Sequence, residues 1–264
     1  MSKISVIMGV YASEKERLEK SIRSVLSQSE RDLELIVVCD GTESLLPLLR
    51  EWEEKDERVK TVFYPENKGL AFALNEGLKC ATGEYIARQD DDDESEPYRL
   101  ERQLNYLLSH PKTDFVCSAA AVFDDGGEYG EAVMPEQPQK KDFLYTCPFL
   151  HPTLFAKRAC FERGGGYRVG WDTKKAEDYD LFMRWFSRGM IGVNLRERLY
   201  RYRFARGGKR RRSFLDRLWE TFVRIKGFWK IKAGLKGVLY AFKPLLAWLL
   251  PQKAFVRAKR KYIQ

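Results

Sequence analysis

Histidine is nearly absent from this 264-residue chain, which has only His110 and His151. Its five cysteines (Cys39, Cys80, Cys117, Cys147 and Cys160) are dispersed, with no C-x-x-C pair and no histidine cluster beside them. That scarcity argues against a Cys/His zinc site and a disulfide-stapled secreted domain, and it predicts free thiols in a reducing compartment. Long apolar runs are missing too. The most apolar late stretch, residues 237–252, is interrupted by Lys243 and Pro244, so neither piece approaches the roughly 18 to 20 residues of a membrane-spanning helix. The opening MSKISVIMGVY lacks the long apolar region and small-residue cleavage site of a signal peptide, and reads as a first β-strand of a protein that starts in the cytoplasm.

What is present suffices for a sizeable core: 44% of residues are hydrophobic and 13% aromatic, which excludes wholesale disorder. The net charge of +9 is unevenly spread. From Arg196 onward there are 21 basic and 3 acidic residues, against 26 basic and 35 acidic before it. The chain therefore reads as an acidic body, residues 1–205, with a basic tail, residues 206–264.

Within the body, β-branched runs alternate with helical spacing. Strands are expected at Ile4 to Val10, Leu33 to Cys39, Val59 to Tyr64 and Tyr85 to Ala87. Between them fall helices through Leu18, Ile22, Val25 and Leu26, through Leu45 to Trp52, and through Leu70, Leu74 and Leu78. This is the pattern of βαβ units, hence an α/β fold with a parallel sheet covered on both faces. A further helix carries Leu100, Leu104, Leu107 and Leu108, a strand spans Phe115 to Phe123, and residues 128–152 read as an irregular acceptor-side insertion. Ligands of such sheets bind beyond the carboxyl ends of the strands. There the second strand presents Asp40 and the fourth presents Asp90, Asp91, Asp92 and Asp93. Carboxylates this close repel one another. A hard cation such as Mg²⁺ or Mn²⁺ relieves that repulsion, although a solvated acidic turn capping the helix near Pro97 has the same composition.

The series SVIMGVY, LELIVVCDGTES, ENKGLAFALNEGLKCATGEYIARQDDDDESEPYRLERQL, GGGYR and AEDYDLFMRW resembles the inverting family 2 glycosyltransferases of the GT-A fold, over residues 3 to 205. The block from Asn67 to Leu104 is the most specific part. The resemblance implies a Rossmann-like, mostly parallel sheet with helices on both faces, a nucleotide-sugar donor, Mn²⁺ or Mg²⁺, and transfer of one sugar with inversion in cell-surface polysaccharide synthesis. It puts Val10, Tyr11, Asp40, Asn67, Gly69, Arg88 and Asp90 on the donor side and makes Asp92 the metal ligand. Asp178 matches the family's general base, which removes the acceptor hydroxyl proton. Glu177 sits beside it, Asp180 is expected to face outward, and His151 matches a loop near the acceptor. Several positions depart from the family: after the first strand Gly9 and Ala12 stand in the stretch where relatives read P-V-Y-N, and Ala205 stands where many carry a histidine. Arg203 is then a candidate diphosphate contact. Asp91 takes no role from the family.

In the tail, Phe214, Leu218, Phe222, Ile225 and Trp229 share one helical face, with Arg217 and Arg224 opposite and Lys209-Arg210-Arg211-Arg212 just before. A basic amphipathic helix of this kind predicts peripheral attachment to an anionic membrane on its cytoplasmic face, suiting a glycan or lipid-linked acceptor. Packing on the body with the cations in water is the plainer reading. Nucleic-acid binding is the third, and no nucleic-acid partner is expected because large apolar residues recur through the tail. Two other functions fit part of the pattern: a catalytically impaired membrane-associated sugar-nucleotide-binding protein, motivated by Ala12 and Ala205, and a nucleotidyltransferase, against which weighs the lack of a glycine-rich basic signature after the first strand.

Overall fold

The computed structural model describes residues 3–206 and 213–249. The basic run 209–212 and the final residues 250–264 lie outside the described residues. The chain runs β1 (Ile4–Val10), α1 (Lys15–Leu26), β2 (Leu33–Asp40), α2 (Leu46–Lys55), β3 (Val59–Tyr64), α3 (Leu70–Cys80), β4 (Tyr85–Asp90), β5 (Glu94–Ser95), α4 (Arg99–Ser109), β6 (Phe115–Asp124), β7 (Gly127–Ala132), β8 (Phe155–Lys157), α5 (Arg158–Gly164), α6 (Glu177–Ser187) and β9 (Gly192–Arg203), followed by α7 (Phe214–Lys230), α8 (Gly234–Ala241) and α9 (Lys243–Leu249).

The strands form one sheet in the order β3-β2-β1-β4-β8-β6-β9-β5, with β7 paired to β6. The pairs β3/β2, β2/β1, β1/β4 and β6/β9 are parallel. Every residue of β2 (LELIVVCD) is buried, the signature of a central strand covered on both faces. On one face α1 buries Leu18, Ile22, Val25 and Leu26, each contributing about 1.5–3 kcal/mol by leaving water. On the other, α3 lies so close that a Cβ at Gly77 would meet Ile7 Cγ2 at 2.4 Å, which is why a glycine sits mid-helix there.

The mostly parallel α/β expectation stands, with additions. The short β8 inserts antiparallel between β4 and β6, and β5 and β7 add antiparallel pairs. Residues 128–152, expected to be irregular, begin by completing β7 and then form short 3₁₀ turns at Asp142–Leu144 and His151–Thr153.

The tail packs on the body through a mixed face of polar and apolar side chains. Val223, Phe228, Ile231 and Ala241 join the core that contains Phe115 and Phe182. Arg217 and Arg224 are buried, whereas Phe214, Leu215, Phe222, Ile225 and Trp229 are exposed, Trp229 to 82%. Arg224 is accommodated by Glu220 Oε1 at 3.2 Å, the Leu144 carbonyl at 3.2 Å and the Tyr179 ring at 4.8 Å. The helix begins with a capping box in which Ser213 Oγ accepts from Asp216 N and the Asp216 carboxylate accepts from Ser213 N. Among the described residues no helix is long and apolar enough to cross a membrane. All five cysteines are unpaired.

Candidate active site

The carboxyl ends of β1, β2 and β4 lie side by side. At the end of β2, Asp40 is buried, and its two oxygens accept the backbone N–H groups of Lys68 (2.7 Å) and Gly69 (2.8 Å). It thereby fixes the ENKG turn that opens α3. Gly41, at φ +76°, is the left-handed exit from β2, and a side chain there would meet Asn67 N at 2.5 Å. Asn67 itself is exposed. At the end of β1, Val10 is buried in the core, while Tyr11 is exposed to 58%. Ala12 adopts φ +50° and its N–H donates to Thr42 Oγ1 at 3.0 Å. Asparagine tolerates that left-handed conformation better than alanine does.

The aspartate run begins where β4 ends. Arg88, buried, donates from Nη2 to Asp90 Oδ1 in a short ion pair, and its Nε and Nη1 find no hydrogen-bond partner among the described residues. Burial opposes the Arg88 charge, but Asp90, Tyr167, Tyr200 and Glu177 together hold its pKa above the ordinary arginine value. Asp91 accepts from Ser13 Oγ. Burial, with the charges of Asp90 and Asp92, pushes the Asp91 carboxyl up to about 6. Asp93 is fully buried and raised well above the carboxylate range by burial and by the same two charges. The Tyr200 hydroxyl accepts from Asp90 N at 3.1 Å and faces Asp93. The strand end is anchored from below by Arg99, whose guanidinium reaches the Arg88 carbonyl (2.6 Å), Gln89 Oε1 (3.0 Å) and Ser95 Oγ (2.8 Å). Burial lowers the Arg99 pKa to about 10.

Arg203 closes this side. Its N–H donates to Asp93 Oδ1 at 2.6 Å, Nε to the Asp92 carbonyl at 3.2 Å and Nη1 to Asp125 Oδ1 at 2.7 Å, while the guanidinium lies over Phe123 at 4.5 Å. Ala205, two residues on, is exposed and brings no imidazole. Among the described residues no three Asp, Glu, His or Cys side chains form a ready-made metal cage. A Mg²⁺ or Mn²⁺ ion commonly takes one or two carboxylates plus substrate phosphates. The carboxylates crowded at residues 90–93 fit that ligand chemistry.

Glu177 and Asp178 open the first turn of α6, where the positive end of the helix dipole suits carboxylates. Asp178 Oδ1 accepts from Tyr179 N at 2.7 Å. Asp180, expected to face outward, is instead buried between Arg184 (2.7 Å) and Arg168 (3.2 Å), which neutralise it. The GGGYR turn is locked to α3 by Asn75, which donates to the Tyr167 carbonyl (2.7 Å) and accepts its N–H (2.9 Å). His151 is buried with Nε2 2.7 Å from the Tyr167 hydroxyl, and burial together with the Arg88 charge holds its pKa well below the usual imidazole value. Tyr167 carries the influence of both sides, since Arg88, Glu177 and Asp178 all act on its hydroxyl after burial itself. Buried Arg88 is thus ion-paired to Asp90 at the end of β4 and within electrostatic reach of Glu177 at the start of α6.

Residues 5–165 match the family described as Glycosyl transferase family 2. The chain belongs to that family. It is a glycosyltransferase. It is 35% identical over 263 residues to EpsE of Bacillus subtilis (strain 168), named as a glycosyltransferase, covering 99% of this chain and 94% of that one. It is 34% identical over 206 residues to the O-antigen biosynthesis glycosyltransferase WbnJ of Escherichia coli, covering 76% and 79%. Among solved structures it resembles TarS 1-349 of S. aureus in complex with UDP-GlcNAc (TM-score 0.71, 16% identity, 98% of this chain and 80% of that one). It also resembles the mannosyltransferase PcManGT from Pyrobaculum calidifontis in complex with GDP-Man and Mn2+ (TM-score 0.65, 21% identity, 98% and 75%). A longer TarS chain is matched over 39% of its length.

Tyr200, Asp125 and Ser13 escaped the sequence reading. Tyr200 looks like any strand tyrosine in RERLYRYR, and Asp125 like a hairpin-turn residue; only the pairing of β9 with β6 brings them to the aspartate run. Tyr167 was visible inside GGGYR, but nothing in the sequence ties it to His151.

Proposed function

We propose that the protein transfers a sugar from a nucleoside-diphosphate donor, a UDP-sugar, to a hydroxyl of a glycan or lipid-linked acceptor, with inversion, as a step in cell-surface polysaccharide synthesis. The observation that carries this reading is buried Arg88, ion-paired to Asp90 and close enough to the start of α6 to feel the charge of Glu177. Such an arrangement suits one crevice with a donor side and an acceptor side. Asp40 orders the Asn67–Gly69 turn for the donor, Asp90 faces its ribose or sugar, and Arg88 and Arg203 supply fixed positive charge to the diphosphate. Asp92 would hold Mn²⁺ or Mg²⁺, which when bound supplies charge neutralisation to the departing diphosphate. Asp178 takes the acceptor proton as the hydroxyl attacks, so one in-line displacement inverts the centre. The UDP-GlcNAc bound by TarS and the GDP-Man and Mn2+ bound by PcManGT support a nucleotide-sugar donor with a divalent cation.

We assign the exposed apolar face of α7 to peripheral membrane attachment on the cytoplasmic side. Five large apolar residues in water beside Lys226 and Lys230 have the composition of an interfacial helix. The test is a panel of nucleotide sugars with Mn²⁺ or Mg²⁺, read by nucleoside diphosphate release. Cation-dependent release from one donor supports the reading. Release that EDTA leaves unchanged removes the metal from it, and donor binding without turnover on any acceptor extract favours the impaired binding protein.

A further inference from the structure

The segment between the GGGYR turn and the catalytic helix is clamped to α7. Asp172, buried within this segment, accepts Arg168 Nη1 at 2.7 Å and Lys226 Nζ of α7 at 2.9 Å. Burial works against its charge, yet those two hydrogen bonds hold its carboxyl down to about 2. Lys175 adopts φ +64°, an unfavourable conformation for a side-chain-bearing residue, immediately before the turn that carries Glu177 and Asp178. Its ammonium lies 3.2 Å from Asp216, the capping-box residue of α7. A third contact is apolar: the Trp171 ring meets Phe222 of α7 edge-on at 5.6 Å.

The same segment turns apolar and basic groups outward. Val169 is 55% and Trp171 62% exposed, and Lys174 and Lys175 are exposed beside them. Its one acidic side chain, Asp172, is buried and neutralised. This is the chemistry of the outer face of α7, and the Trp171–Phe222 contact makes the two surfaces continuous.

We infer that residues 168–176 and the outer face of α7 form a single platform seated on an anionic bilayer, so that a lipid-carried acceptor reaches Asp178 past Trp171 without leaving the membrane surface. Trp171 is then a positioning residue for the acceptor. The occupant follows from charge and polarity together: exposed apolar residues with the exposed Lys174, Lys175, Lys226 and Lys230 on the same two segments match acyl chains beneath acidic headgroups. The inference rests on the membrane reading of α7 and narrows the acceptor class to one presented from the bilayer.

The test uses the full-length protein and vesicles of phosphatidylcholine and phosphatidylglycerol with brominated acyl chains, which quench tryptophans that enter the bilayer. In a W219F/W229F/W248F variant, Trp171 is the remaining exposed tryptophan, because Trp52 and Trp185 are buried. Bound vesicles should quench it, and adding Trp171→Phe should remove that quenching without releasing the vesicles. Vesicle binding without Trp171 quenching overturns the inference and leaves the attachment of α7 standing. No vesicle binding, whether the protein is monomeric or self-associated through this face, overturns the attachment and the inference with it. If the triple variant does not fold, the difference in quenching between the parent and single Trp171→Phe gives the same decision.

Discussion

α4 and α7 are both amphipathic and both bury arginine, yet their inward faces differ in make-up, α4 setting Arg99 and Gln103 among leucines and α7 burying more polar than apolar side chains. α4 buries Leu100, Leu104 and Leu107 beneath the sheet, in the usual way of a helix in an α/β layer. α7 buries Asp216, Arg217, Thr221 and Arg224 together with Val223 and Phe228, leaving Phe222, Ile225 and Trp229 in water. Burying arginine is costly unless its donors are satisfied. Glu220, the Leu144 carbonyl and the Tyr179 ring provide that here. Periodicity alone therefore announces that a helix has two faces, and the partners waiting on the body decide which one goes in.

The strongest way to break the comparison is alanine at each helix's inward face. Leu104→Ala should cost about 3 kcal/mol through a cavity. Arg224→Ala should cost about 1–3 kcal/mol by removing the guanidinium's hydrogen bonds to Glu220 and the Leu144 carbonyl and its contact with the Tyr179 ring. Chemical denaturation reads both, and an Arg224→Ala protein as stable as the parent would mean that the inward arginine face is not what docks α7.

Acid sharpens it next. Asp172 is nearly fully buried, and its carboxyl lies at about 2 in the folded protein against 3.8 ordinarily, a difference of order 2 kcal/mol. Because the folded pKa is the lower one, this stability is present above pH 4 and drains away as pH falls towards 2. Melting temperatures across that window should fall less steeply in Asp172→Asn than in the parent, from a lower starting value. Parallel curves would remove Asp172 from the link between α7 and the acceptor segment.

Smaller still is the strain at Ala12. Replacing it by asparagine, which accepts φ +50°, should raise stability by about 0.5–1 kcal/mol, measurable as a shift in denaturation midpoint. At the bottom of the scale, Ile225→Ala on the outer face should change stability by no more than about 0.5 kcal/mol. A loss comparable to that of Leu104→Ala would show the outer face of α7 to be packed rather than displayed.

The first four parallel strands and their helices were legible because β-branched runs and leucine spacing are local signals. The short strands β5 and β8 were not, since their two or three residues of pairing depend on neighbours distant in sequence, such as Glu94 against Arg201 and Ala87 against Phe155; β7 (GEYGEA) lacks the β-branched run that marks a strand. Asp90, Asp92, Glu177 and Asp178 stood out by residue type and spacing. That Arg88 pairs with Asp90 within electrostatic reach of Glu177, or that Asp40 holds the 67–69 turn, required the folded chain. The two faces of α7 were correctly separated in the sequence, with large apolar residues on one side and Arg217 and Arg224 on the other. The partners that draw the arginines inward were not visible there.

The central claim is that the aspartate run binds the donor while α6 performs the chemistry. Thermal shift with UDP and Mn²⁺, measured on the parent, Asp92→Ala and Asp178→Asn alongside turnover, tests it most directly, because a ligand selective for the folded state raises its melting temperature. The account predicts a shift in the parent, its loss in Asp92→Ala, and its retention in Asp178→Asn together with a turnover reduced about a hundredfold or more. An undiminished shift in Asp92→Ala, or parental turnover in Asp178→Asn, would contradict it.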